Sequence, residues 1–135
     1  MEILEKGVCI GNTYDDTAGQ DLPGERKRSW LLGNFMEDGD PRKTPNIEMS
    51  WGIWPKGFKR EAWATNKTAH TLSILINGKV KLDFPEKTVV LERLGDYVLW
   101  TPTVPHIWEA LEDSVLQSIR WPSVKGDSYN VEPVR

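Results

Sequence analysis

From residue 47 to residue 121 the sequence is cut into short apolar or alternating runs by glycine, proline, asparagine and aspartate. The runs are residues 47–54, 70–76, 79–84, 88–91, 97–100, 106–111 and 115–121. Each has the length of a strand, and most alternate with a period of two or are apolar throughout. Nowhere do apolar residues recur at helical spacing between capping residues, so a helical domain is excluded. Many short strands with turn signals between them predict an antiparallel sandwich, barrel or jelly roll. Asn77-Gly78 stands between two of the runs. Both central residues of a type I′ turn need positive φ, which this pair tolerates best, so a hairpin is predicted there. Glu112-Asp113 is predicted to join a second one.

The first third reads differently. Residues 11–46 are rich in Gly, Asp, Pro, Asn and Lys, with turn clusters at 21–24 and 38–41 and no sustained periodicity. Only 29–32 is apolar enough to dock as a strand or turn. Residues 1–46 are therefore expected to form an irregular arm on a single barrel domain of residues 47–135, a usual size for one domain. The net charge of −3 argues against nucleic acid as a partner, since the basic residues are scattered apart from Arg26-Lys27-Arg28. No window has the length of a membrane span, and the start of the chain has acids where a secretory signal would carry positive charge. The lone Cys9 cannot form an internal disulfide and reads as a small hydrophobe. A cytoplasmic protein is expected.

One segment narrows the fold class further. Gly95-Asp-Tyr-Val-Leu-Trp-Thr-Pro-Thr-Val-Pro-His106 resembles the second conserved motif of the cupins: glycine, five residues, proline, one residue, glycine, two residues, histidine, three residues, asparagine. Gly95 and His106 keep the spacing, Pro102 sits one place late, and Thr103 and Ala110 replace the glycine and asparagine. The resemblance covers roughly residues 47–122 and implies a jelly-roll β-barrel, with His106 pointing inward as a metal ligand. The family's first motif supplies two further histidines and a glutamate. Counting forward from Gly57, the histidine places fall on Trp63 and Thr65 and the glutamate place on His70. Counting back from Gly78, the glutamate place falls on Thr71. Both motif histidines are absent either way.

The candidate site follows from these positions. Strand alternation groups His106, Trp108 and Ala110 on one face. His70 faces inward by the forward count and outward by the backward one. The aliphatics Leu72, Ile74 and Ile76 favour the forward count, on the expectation that a barrel buries its inner face more fully. The expected pocket comprises His106, His70, Trp63, Thr65, Trp108 and Arg120, with Arg120 placed to pair with an anionic group. A divalent metal (zinc, iron, manganese or nickel) would draw on His106, His70 and Glu48, held weakly or not at all, because Trp63 and Thr65 are poor ligands. The seven tryptophans suit core filling, an interface or a stacking wall.

The function expected is binding of a small organic molecule around His106, by a homodimer whose arm covers part of the domain. Two other readings stay open. One is a metal-dependent cupin enzyme of oxygenase, isomerase or decarboxylase type acting on a small oxygenated substrate. The other is a non-catalytic dimeric interaction protein.

Overall fold

A computed structural model of the chain describes residues 1–17 and 29–135. The turn cluster at 21–24 and the Arg26-Lys27-Arg28 group lie outside the described residues.

The described parts of the arm are more ordered than their composition suggests. Strands β1 (Glu2–Glu5) and β2 (Val8–Ile10) form a hairpin. The four-residue helix α1 (Thr13–Asp16) follows, capped by Asn12, whose side chain accepts from the Tyr14 N–H at 2.9 Å. Strand β3 (Trp30–Leu32) then joins the main sheet. The apolar run at 29–32 thus docks as an edge strand, and residue 46 does not separate the arm from the sheets.

The remaining strands are β4 (Glu48–Trp54), β5 (Ala64–Asn66), β6 (His70–Asn77), β7 (Val80–Asp83), β8 (Thr88–Leu91), β9 (Tyr97–Trp100), β10 (Ile107–Ala110), β11 (Ser114–Trp121) and β12 (Ser128–Asn130). One layer is a five-stranded antiparallel sheet in the order β3-β4-β11-β6-β9. The other contains β10-β7-β8, with β12-β5 attached through a bridge between Ala64 and His106. The two layers are not closed into a continuous ring. Among the described residues, no helix is long and apolar enough to cross a membrane.

Two predicted hairpins are corrected. β6 pairs with β11 and β9, whereas β7 pairs with β10 and β8. Asn77-Gly78 is therefore a corner that carries the chain from one layer to the other. Gly78 has φ +94°, and a Cβ there would run into Asp113 and Ser114. Ser114 closes the corner by accepting from the Lys79 N–H at 3.0 Å. Residues 112–113 make the second crossing, from β10 to β11, so they join no hairpin either. The local turn chemistry required positive φ, but the pairing partners were set by the packing of two layers.

Between the layers lies a core of Trp54, Leu75, Val80, Leu82, Leu91, Trp100, Ala110 and Leu116. Burying each large aliphatic contributes about 1.5–3 kcal/mol. This core fills only part of the interior. On β4, β6 and β11 the inward positions include Glu48, Ser50, Thr71, Ser73, Ser118 and Arg120. Leu72, Ile74 and Ile119 take the outward positions. Polar residues inside and apolar ones outside invert the usual arrangement of a sheet with one wet face.

Candidate functional site

The inverted sheet lines a cavity of about 630 Å³ between the layers. Strand register arranges its floor in rungs. Ser118 lies opposite Ser50 on one side and Ser73 on the other. One rung along, Arg120 lies opposite Glu48 and Thr71, and Thr71 lies opposite Trp100. The hydroxyls of Ser73 and Ser118 are 2.7 Å apart and hydrogen-bonded.

Arg120 and Glu48 form the charged end of this floor. Arg120 Nη1 is 3.9 Å from Glu48 Oε2, and the side chains are 12% and 5% exposed. The guanidinium also lies over the Trp30 ring, 5.0 Å from its centroid, and so ties the arm's strand to the cavity.

The opposite wall is aromatic. Trp108 faces Leu82 across β10 and β7. Its ring lies 5.0 Å from that of Trp54 and 5.5 Å from that of Phe58, centroid to centroid. Phe58 is held because residues 57–64 run antiparallel beside β10. The Gly57 N–H donates to Ala110 O at 2.8 Å, the Ala110 N–H to Phe58 O at 2.8 Å, and the Arg60 N–H to Trp108 O at 3.1 Å.

His106 is fixed by its backbone, which exchanges hydrogen bonds of 2.9 and 3.0 Å with Ala64. The corner before it uses Thr103 at φ +70°, a left-handed conformation strained for a β-branched residue and held by its N–H bond to Asn66 O. The His106 side chain is buried, with Trp100 4.6 Å from the imidazole, centroid to centroid. Nδ1 lies 3.1 Å from Val104 O. A carbonyl oxygen only accepts, so the ring proton sits on Nδ1, and Nε2 of the neutral ring keeps its lone pair. Burial drives the pKa down to about 4, and the nearby Arg120 and Arg60 act in the same direction against the Val104 hydrogen bond.

Of the residues singled out from the sequence, His106, Trp108 and Arg120 line this cavity, and Glu48 is buried at its charged end. Three others do not line it. His70 lies on the outer face, its ring stacked on Trp121 at 5.5 Å and 7°. Thr71 and Ser73 are the inward residues of β6, so the backward count describes the strand, and Leu72, Ile74 and Ile76 face out. Trp63 and Thr65 are buried on the other side of β5, because Ala64 is the residue opposite His106. The trio His106, His70 and Glu48 is therefore not brought together. Ser118, Arg60 and Phe58 line the cavity although the sequence does not single them out, and Ser73, inward by the backward count, joins them. The signal for Ser73 and Ser118 was the run of small polar residues at alternate positions of β4, β6 and β11; Phe58 and Arg60, between β4 and β5, had none.

No family model and no curated protein matches the chain. Solved structures do match. An uncharacterised conserved protein with a double-stranded β-helix domain from Klebsiella pneumoniae superposes with a TM-score of 0.67 at 16% identity, covering 92% of this chain and 97% of that one. A cupin superfamily protein from Desulfitobacterium hafniense gives 0.53 at 13% identity over 58% of this chain and 70% of its own. The fold is that of the cupins. KdgF from Halomonas sp. shares it, with a TM-score of 0.53 at 17% identity over 60% of this chain and 74% of that protein.

The cupin fold raises the question of a metal, and the donors present do not fit one. Inward positions near His106 are taken by Ala62 and Ala64, which carry no donor, and the backward count puts Thr71 at the glutamate place. Glu48 is paired with Arg120. Among the described residues, no three of His, Cys, Asp and Glu converge. One imidazole and a set of neutral hydroxyls make a poor transition-metal site, which needs three or four nitrogen, oxygen or sulfur ligands.

Proposed function

We propose that this chain is a cytoplasmic small-molecule-binding protein that holds an organic ligand in the cavity around His106 without a tightly bound transition metal. The inverted sheet carries this reading. Burying polar side chains is costly unless they are satisfied, and turning apolar residues outward forfeits burial. A cavity ringed by Ser50, Ser118, Arg120, His106 and an aromatic wall accounts for that arrangement. Its volume falls within the range of small-molecule sites, and few such pockets occur in one protein. A metal-dependent enzyme would need donors that the two inward alanines do not supply.

Ligand-observed NMR against a library of neutral, anionic and aromatic fragments tests the proposal. Binders are expected whose saturation transfer disappears in Ser118→Phe, a variant that fills the cavity floor, with circular dichroism checking that the fold is kept. A library giving no signal that separates the folded variant from the wild type would refute it.

A further inference from the structure

Resting on the reading of the cavity as a binding site, we propose that its occupant is an uncharged, polyhydroxylated ring of mono- or disaccharide size with one apolar face. The floor and the wall make opposite demands on a ligand. On the floor, Ser50, Ser118 and Ser73 stand side by side on neighbouring strands, and the Ser73–Ser118 hydrogen bond already links two of them. A hydroxyl both donates and accepts, so a row of them is extended best by a ligand group that does the same. Across the cavity from this row stand Phe58 and Trp108, and Trp54, farther along β4 from Ser50, packs against both to make one contiguous apolar surface. A pyranose ring carries a rim of hydroxyls and a face of C–H groups, and so meets both walls at once.

Around His106 and the Arg120–Glu48 pair the cavity disfavours an ionic group. His106 offers only the Nε2 lone pair, because Nδ1 is committed to the Val104 carbonyl. A carboxylate oxygen has no proton to give that lone pair. It would also bring a second negative charge next to Glu48, which already neutralises Arg120 in a desolvated place. A cationic ligand would face Lys59 and Arg60, both of which line the cavity. A hydroxyl donating to His106 Nε2 avoids both conflicts. A flat phenol would satisfy the wall and the imidazole but would not extend the Ser73–Ser118 hydrogen bond along the serine row.

The test uses methyl glycosides of glucose, galactose and mannose and the disaccharide maltose, against benzoate, phenol and benzylamine. Binding is read by ligand-observed NMR and by tryptophan emission, since Trp54, Trp100 and Trp108 line the cavity. At least one neutral sugar is expected to bind. Its affinity should fall about three- to tenfold in Ser118→Ala, the loss of one hydrogen bond, and further in Trp108→Leu. Ser50→Ala serves in place of either variant that fails to fold. The ionic and phenolic probes are expected to give no signal. If one of them binds in a manner abolished by Ser118→Phe while no sugar does, the ligand class is wrong and the cavity reading survives. If no probe of any class is sensitive to that substitution, both are overturned.

Discussion

Acidification isolates His106 as a contributor to stability. Its side chain is buried and its pKa is lowered from 6.5 to about 4, chiefly by desolvation. In the unfolded chain the imidazole takes up a proton near pH 6.5, whereas in the folded protein it resists until about pH 4. Between those values the unfolded state binds more protons, so stability falls as the pH is lowered through this window. At about 1.4 kcal/mol per pH unit the full effect is about 3 kcal/mol, a large share of a small domain's stability. Urea denaturation from about pH 7.5 to about pH 4.5 measures it, and His106→Gln supplies the control by removing the titrating ring. The wild type is expected to lose about 2–3 kcal/mol across the range and the variant much less, even if the variant is weaker throughout. Carboxylates such as Asp40, held low by hydrogen bonds from Arg42, release their contribution only below their ordinary 3.8, outside this range. Parallel pH profiles for the two proteins would refute the buried, neutral imidazole and the hydrogen-bond polarity derived from it.

Removing Arg120 would take the guanidinium away from the buried Glu48 carboxylate and release Trp30 from it. Arg120→Met is therefore expected to destabilise by about 3–5 kcal/mol in urea denaturation, and the double variant with Glu48→Gln to recover a substantial part; a loss under about 1 kcal/mol would show that the pair is effectively solvated. Elemental analysis of untagged protein after extensive dialysis is expected to find zinc, iron, manganese and nickel well below one equivalent, and near-stoichiometric metal would restore the enzyme reading. The outer face of the five-stranded sheet, with Leu72, Ile74 and Ile119 flanked by Tyr97 and Leu99 at 67% and 48% exposure, is expected to pack on a second copy of the chain. Strands β4, β11, β6 and β9, of 7, 8, 8 and 4 residues, at about 3.3 Å per residue and about 4.8 Å apart, give roughly 430 Å², over half of one side of a standard interface. Sedimentation at tens of micromolar, roughly the working range for a modest interface, should show a dimer that Leu99→Glu dissociates, and a monomeric wild type would end this assignment.

The strands from residue 47 onward were legible because runs bounded by turn residues leave few alternatives, and seven of them occur within about a residue or two of their predicted limits. β5 and β12 were missed because three-residue strands are too short for alternation to register. His106 was legible from the spacing to Gly95, which fixes where the strand after the corner begins. His70 was not, and the failure is instructive. The forward count was chosen because Leu72, Ile74 and Ile76 are large and apolar, and interiors usually are too. That rule assumes the inner face of the sheet is a filled core. Here the inner face borders a cavity and the outer face is mostly apolar (Met49, Leu72, Ile74 and Ile119, beside His70 and Gln117), so periodicity gave the alternation of faces correctly and hydrophobicity assigned the wrong side. The same inversion repeats on β4, where Glu48, Ser50 and Gly52 turn inward, and on β11, where Ser118 and Arg120 do. Three neighbouring strands with small polar residues at matched rungs are hard to reconcile with a dry core, because each buried hydroxyl needs a partner. In a chain with neither histidine at the two places where the cupin motif would put them, that repeated polar face is the feature that points to a ligand.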